Sequence, residues 1–309
     1  MAKIFKNSKI ILLTILGLAC LLRFWGLDKL PVSLYSDELD VGYQAYSILK
    51  TGKDYFGNPW PLHFQSYADI RTPLYIYSSV PTVWLFGITA WGVRLPAAIF
   101  GVLGVSGIFL LFKEISGSKY IGLIGALLLT LSPWHIHYSR AAFEATMLLS
   151  FLLFGLYFFF KSFKRPKFLW VSVALLVFTP WIYNTATLFT PILLIFLFLV
   201  WKKQILSLKR PELVKAGVAG LVVGLPIVYS LIFGGGALRA GYLSVFSNPT
   251  TNTEVDYSIL YDAKVRNVYG GSTASKIFTR VVHNKVTFWG SNIINNYLSA
   301  LSFDFLFIK

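Results

Sequence analysis

The sequence predicts an all-α polytopic membrane protein, and three observations carry that reading. Of 309 residues, 56% are hydrophobic and only 13% are charged, against about 25% charged in a soluble domain. Mean hydropathy is +0.64. Apolar runs long enough to cross a bilayer recur along the chain, and lysines and arginines gather in short runs that flank them: Lys3, Lys6, Lys9; Lys113, Lys119; Lys161, Lys164, Arg165, Lys167; Lys202, Lys203, Lys209, Arg210, Lys215. That placement is the positive-inside pattern of cytoplasmic loops. The net charge of +15 therefore belongs to the bilayer partner and not to nucleic acid. Cys20 is the one cysteine, which excludes an intrachain disulfide and a cysteine-based metal site.

A spanning helix needs about 20 mostly apolar residues, within a range of roughly 17–25. The first run, 10–27, follows Lys3, Lys6 and Lys9. "LGLAC" faintly suggests a cleavage box, but the run stays apolar through "LLRFWGL", so it reads as a retained signal anchor. Further candidate spans are 94–112, 119–133, 143–160, 168–183, 186–201 and 213–233. The run 74–90 is interrupted by Ser78, Ser79 and Pro81 and ends in Trp84, Phe86 and Trp91, aromatics that favour the membrane interface. Counting it as a span would put "KEISGS" and "KSFKRPK" outside. Laying it on the surface puts every basic cluster inside. The expectation is thus seven spans, an interfacial or re-entrant helix at 74–90, and outer segments 28–93, 132–145 and 234–309. Residues 1–233 read as the transmembrane module and 234–309 as an outer polar segment, rich in Asn, Ser and Thr. No repeat or low-complexity tract stands out.

The scarce acids locate the candidate chemistry. Six of thirteen (Asp28, Asp37, Glu38, Asp40, Asp54, Asp69) fall in the first polar segment. In "PVSLYSDELDVGYQAYSILKTG", Ser36 suits an N-cap, and Asp37 and Glu38 occupy the first turn, where the helix dipole favours ionised carboxylates. Leu39, Tyr43 and Tyr46 recur at helical spacing and Thr51-Gly52 supplies a stop, which predicts a short surface helix over 37–50. Asp40 reads as part of that helix start. Asp37 and Glu38 read equally well as a helix start or as catalytic groups. "YADIRTPLYIY" adds Asp69 and Arg71. "SPWHIHYSRAAFEA" adds His135, His137, Arg140 and Glu144 at the rim of a span. Arg140 and Glu144, four apart, would pair on one face, yet ionisable groups at span ends facing a shared cavity are functional candidates. Two histidines without a third ligand assign no metal site, though a divalent cation stays open as a cofactor. A lipid-phosphate sugar fits these groups: an arginine holds the phosphate as leaving group, and a carboxylate takes the proton of an incoming hydroxyl.

The motifs "YSDELDVGYQAYSILKTG", "RTPLY", "WGVRLPAAIFG", "LSPWHIHYSRAAFEA" and "NNYLSALSFDFLFIK" resemble, in order and spacing, the GT-C membrane glycosyltransferases of the protein O-mannosyltransferase and lipid A aminoarabinose-transferase group. The resemblance covers about 28–309. It implies a core of seven spans with juxtamembrane helices in a long first outer loop. It implies Asp37 as catalytic base, polyprenyl-phosphate sugars as donors, and a protein, lipid or glycan as acceptor. It also implies an active site facing outward from a plasma or inner membrane and a further portion beyond residue 309. Glu38 joins Asp37 as a catalytic candidate; Arg71, Arg140, Asp69, Glu144 and Tyr43 are the substrate-binding candidates. Relatives often carry Lys where Arg71 stands, and the aminoarabinose transferases carry Arg-Tyr where Asp40 and Val41 lie, a departure from the pattern that goes with that donor. The leading reading is an inverting, lipid-phosphate-dependent glycosyltransferase. A transporter or flippase of lipid-linked sugars is the alternative, and it predicts charges midway along spans and paired broken helices. A non-catalytic scaffold would need no acids gathered at one rim.

Overall fold

The computed structural model describes residues 8–66, 70–233, 244–247, 250–265 and 279–302. The chain divides into two compact units, Met1–Gly236 and Ala237–Lys309. The first is almost wholly helical: α1 (Ser8–Phe24), α2 (Ser36–Thr51), α3 (Pro73–Phe86), α4 (Ala90–Ser116), α5 (Lys119–Leu131), α6 (Pro133–Ser139), α7 (Ala145–Ser162), α8 (Leu169–Val177), α9 (Ala186–Leu206) and α10 (Arg210–Phe233). Its only described sheet is an antiparallel pair of two-residue strands, β1 (Phe64–Gln65) and β2 (Ile70–Arg71), with Phe64 opposite Arg71.

Among the described residues, α4, α7, α9 and α10 are long and apolar enough to cross a membrane, and α5 with α6 adds a fifth if the bent pair is one span. The protein is therefore an all-α polytopic membrane protein, with fewer spans by this measure than the seven expected. Proline explains much of the difference. It lacks an N–H and pushes the preceding residue out of the helical region. At Ser132-Pro133 the backbone turns extended and the chain bends by 64°, so 119–133 yields a helix of only 13 residues. Over 168–183, Pro166 and Pro180 leave α8 just nine residues, bracketed by the 3₁₀ turns Pro166–Phe168 and Thr179–Trp181. The helix in the first run, α1, has 17 residues and stops at Phe24. The ambiguous run 74–90 forms α3, 14 residues long. At 1.5 Å per residue that is about 21 Å, short of a ~30 Å hydrocarbon core.

Helix α4 is the central post, packed by α1, α2, α3, α5, α6 and α7. Gly101 permits its close crossing with α6, since a Cβ there would lie 2.3 Å from Ser139 Oγ. The surface helices α2 and α3 bury Val41, Ala45, Ile48, Tyr75, Ile76 and Val83 against Val93, Ala97 and Met147.

Hydrogen bonds fix which helix ends lie together. Thr72 Oγ1 donates to the Ile182 carbonyl at 2.7 Å, Asn184 Nδ2 to the Ile70 carbonyl at 3.1 Å, and His63 Nδ1 meets Ser230 Oγ at 2.5 Å. The first long loop, the α8–α9 junction and the end of α10 therefore share one end of the bundle. At the other end, Lys164 Nζ pairs with Glu114 at 2.6 Å and ties the end of α7 to that of α4. The basic turns α4–α5, α7–α8 and α9–α10 all fall at this second end, away from the acids of α2.

In the second unit, the described parts include a 3₁₀ turn (Val245–Ser247) and two helices, Thr251–Val265 and Lys285–Ala300. His283 Nε2 lies 2.8 Å from an Asp262 oxygen. Asn284 caps the last helix by accepting from the backbone N–H groups of Val286 and Thr287 at 2.8 and 3.0 Å.

Candidate active site

Helix α2 begins one residue earlier than the sequence suggests. Tyr35, not Ser36, takes the cap position, and its backbone N–H donates to Glu38 Oε2 at 3.4 Å. The helix ends at Gly52, whose φ of 69° is the left-handed turn that glycine adopts without a Cβ penalty. One flank of α2 presents Asp37, Asp40 and Gln44 to the β1–β2 ribbon. Gln44 Nε2 donates to the Gln65 carbonyl at 2.7 Å, which seats the ribbon, and Arg71 at the end of β2 reaches back to the acids.

Arg71 is the hub. Its Nη2 donates to Asp37 Oδ1 at 2.6 Å, its Nε lies 2.5 Å from Asp40 Oδ2, and its Nη1 lies 3.9 Å from Glu144 Oε1. Three carboxylates thus surround one guanidinium whose side chain is 13% exposed, while the Asp37 side chain remains 52% exposed. Burial by itself would pull the Arg71 pKa down. The charges of Asp40, Glu144 and Asp37 more than reverse that and hold it above the usual arginine value. Asp40 is no bland helix start: its Oδ1 accepts from the Tyr55 hydroxyl at 2.6 Å. Burial and that bond push the Tyr55 phenol up to about 12.

Tyr35 stands beside this cluster. Its ring packs on Phe143 at 5.4 Å, which in turn packs on Tyr138 at 4.7 Å. Its hydroxyl is buried without a hydrogen-bond partner. Burial, then the nearby charges of Glu38, Asp37 and Glu144, raise its pKa above the ordinary phenol value, so at neutral pH it keeps its proton and can donate. A buried unsatisfied hydroxyl costs about 1–3 kcal/mol, and a ligand oxygen would relieve that cost.

Glu38, the candidate for orienting Asp37 or the acceptor, lies in a different setting from Asp37. It is fully buried and paired with Arg94, also fully buried, through Nε–Oε1 at 2.7 Å and Nη2–Oε2 at 2.8 Å. Its Oε1 also accepts the Ala142 backbone N–H at 2.9 Å. A carboxylate so enclosed leaves no open face for a hydroxyl acceptor. Arg94 also donates to the carbonyls of Leu27, Pro31 and Ser33, so the pair ties α2, α4, the α6–α7 junction and the chain after α1. Arg94 was missed as a site residue, although a lone arginine in the apolar "WGVRLPAAIFG" was a signal, because a buried charge demands a partner.

The Arg140 guanidinium is engaged by backbone. Its Nη1 donates to the carbonyls of Leu22 and Trp25, and its Nη2 to those of Gly26 and Leu30, at 2.8–3.1 Å. Four carbonyls occupy the guanidinium that was expected to hold phosphate. It fastens the chain end of α1 instead. Glu144 joins the Arg71 cluster from the start of α7. Tyr43 lies on the flank of α2 and is 59% exposed; Asp69 falls outside the described residues. His135 is buried with its Nδ1 2.7 Å from Arg23 Nη2. Among the described residues, no three His, Cys, Asp or Glu side chains are grouped to hold a metal ion.

A family model for dolichyl-phosphate-mannose-protein mannosyltransferase matches residues 71–229, more than half of the chain. The chain belongs to this family. A comparison with curated proteins returned no match. Its family is one of glycosyltransferases that use polyprenyl-phosphate-sugar donors, which answers the question of enzyme or flippase in favour of sugar transfer. The matched region runs from Arg71 through Arg94, Arg140 and Glu144 to Tyr229; the acids of α2 precede it.

Proposed function

We propose that this mannosyltransferase-family member is an inverting glycosyltransferase, moving a hexose or pentose from a polyprenyl-phosphate donor to a hydroxyl of a protein, lipid or glycan at the outer face of a plasma or inner membrane. The observation that carries the reading is the Asp37–Arg71 pair: an accessible carboxylate hydrogen-bonded to a guanidinium, in a cluster at the end of the bundle opposite the basic turns. Asp37 accepts the proton of the acceptor hydroxyl. The acceptor oxygen attacks the anomeric carbon as the bond from that carbon to the phosphate oxygen breaks, and polyprenyl phosphate leaves with the electron pair. A single displacement inverts the anomeric centre. Arg71 orients the Asp37 carboxylate through the 2.6 Å hydrogen bond to Oδ1. Its Nη1, 3.9 Å from Glu144 and so beyond hydrogen-bond length, meets the phosphate, and the Tyr35 hydroxyl supplies a second donor. The bilayer holds the donor at this height, so positioning contributes to rate.

Sugar transfer from synthetic short-chain polyprenyl-phosphate sugars, mannose first because of the family's description, tests the reading with purified protein in detergent and a panel of hydroxyl acceptors. Donor cleavage and an inverted glycoside are expected; donor binding without a product would overturn the enzymatic reading. Arg71→Ala should lower kcat/KM by about 10²–10³-fold, the scale of a lost donor in a shielded site, and Arg71→Lys should restore part of it. Unchanged kinetics would remove Arg71 from the site. The orientation has its own check. With Cys20 replaced, a cysteine at Ser116 should resist impermeant thiol reagents in intact cells while one at Asn58 reacts. Equal labelling at the two would reverse or void the outward assignment.

A further inference from the structure

The helix Lys285–Ala300 carries an apolar face that is exposed among the described residues. Ile293, Ile294, Tyr297, Leu298 and Leu301 are 49–66% exposed, and Val286 is 72% exposed. At 100° per residue these six fall within an arc of about 140°. The opposite arc holds Ser291, Asn292, Asn295, Asn296 and Ser299, with the half-buried Phe288 at its amino end. The packed side of the helix is a third one: Trp289 meets Phe246 at 5.2 Å near the amino end, while every residue from Ile293 to Ala300 is exposed. Among the described residues, nothing covers the apolar stripe of this half of the helix.

We propose that the stripe lies in the lipid–water interface of the bilayer, so that Lys285–Ala300 is an in-plane membrane anchor. Four observations favour lipid over another occupant. The unit is tethered to the membrane, because the span candidate α10 ends at Phe233 and the unit begins at Ala237. Lys285 is the one charged residue from Asn284 to Ser302, so the polar arc offers almost no charge for a complementary protein surface, while amides and hydroxyls suit the headgroup layer. Tyr297 sits mid-stripe, and tyrosine favours that layer. Length and breadth exclude a span: 16 residues give about 24 Å, short of a ~30 Å core, and crossing would bury the asparagines in hydrocarbon. A helix with one apolar arc and one polar arc lies flat. The anchor would hold the second unit against the surface where a lipid-borne substrate is met, and it does not depend on the catalytic proposal.

Site-directed spin labelling of the full chain in phosphatidylcholine nanodiscs tests it. On a Cys20→Ser background, single labels go to Ile293→Cys and Tyr297→Cys on the stripe, and to Asn295→Cys and Ser299→Cys opposite. Ile294→Cys and Leu298→Cys give a second stripe pair should a first one disturb the helix. Collisions with oxygen, which concentrates in hydrocarbon, and with a water-soluble nickel chelate are read at each site. Stripe labels should show an oxygen-to-nickel collision ratio several-fold above that of the opposite labels. Equal, nickel-dominated ratios on both faces would place the helix in water and overturn the anchor. Stripe labels shielded from both reagents would show a protein cover, a second copy included, and would overturn it equally.

Discussion

Asp37→Asn is expected to reduce sugar transfer by about 10²–10⁴-fold, the usual cost of losing a general base, with donor binding and the unfolding midpoint close to wild type. The substitution is nearly isosteric. The amide oxygen can still accept from Arg71 Nη2, which now lies 2.6 Å from Oδ1. The Asp37 side chain is half exposed, so little packing depends on its charge. The proton acceptor is what disappears. Single-turnover transfer from a polyprenyl-phosphate sugar, alongside donor binding, reads the two effects apart. Asp28→Asn, at an exposed position in the same loop, is the control and should leave both unchanged. Asp40→Asn is not a control, since Asp40 contacts both Arg71 and Tyr55. Turnover of Asp37→Asn within a few-fold of wild type would leave the acids of α2 with a structural part only.

Arg94→Ala should be the most destabilising single change at this end of the bundle. It strands Glu38 as a buried carboxylate with the backbone N–H groups of Ala142 and Tyr35 as its remaining donors and removes the donors to three loop carbonyls. Breaking a buried pair by deleting one partner costs about 3–5 kcal/mol. For a chain of this size that corresponds to a fall in unfolding midpoint of about 5–15 °C, measurable in detergent by thermal unfolding. Transfer should fall with it, because Glu38 sets the first turn of α2 and so the position of Asp37. Glu38→Gln keeps the shape and one acceptor oxygen, and it leaves Arg94 its three carbonyl acceptors, so it should cost less. A midpoint for Arg94→Ala within a degree or two of wild type would show that the pair is not the clamp.

The difference between Asp37 and Glu38 marks the limit of reading the site from sequence. Both are acids in the first turn of a helix, and their neighbours in the chain do not distinguish them. They point 100° apart on α2, so one faces the loop ribbon and the other the start of α4, and only the packing of those two elements makes one accessible and the other buried. Arg140 shows the same limit. Its spacing from Glu144 suggested a local pair, but the carbonyls left unsatisfied at the end of α1, more than a hundred residues earlier, take up its guanidinium. Arg71 was legible as a residue near acids; that three carboxylates converge on it, from α2 and from the start of α7, was not.

What the sequence by itself determined is the class of molecule and the region of its chemistry: apolar runs and basic turns make a membrane-spanning helical protein, 74–90 is too broken to cross, and the acids of the first loop collect at one end. These follow from composition, period and charge placement, which are local. The number of uninterrupted spans and the part played by each charged side chain were decided by tertiary structure. A proline sets where a helix breaks, but the 64° bend it leaves between α5 and α6 is held by neighbouring helices. A buried charge must be neutralised, but which partner neutralises it depends on which helix ends meet.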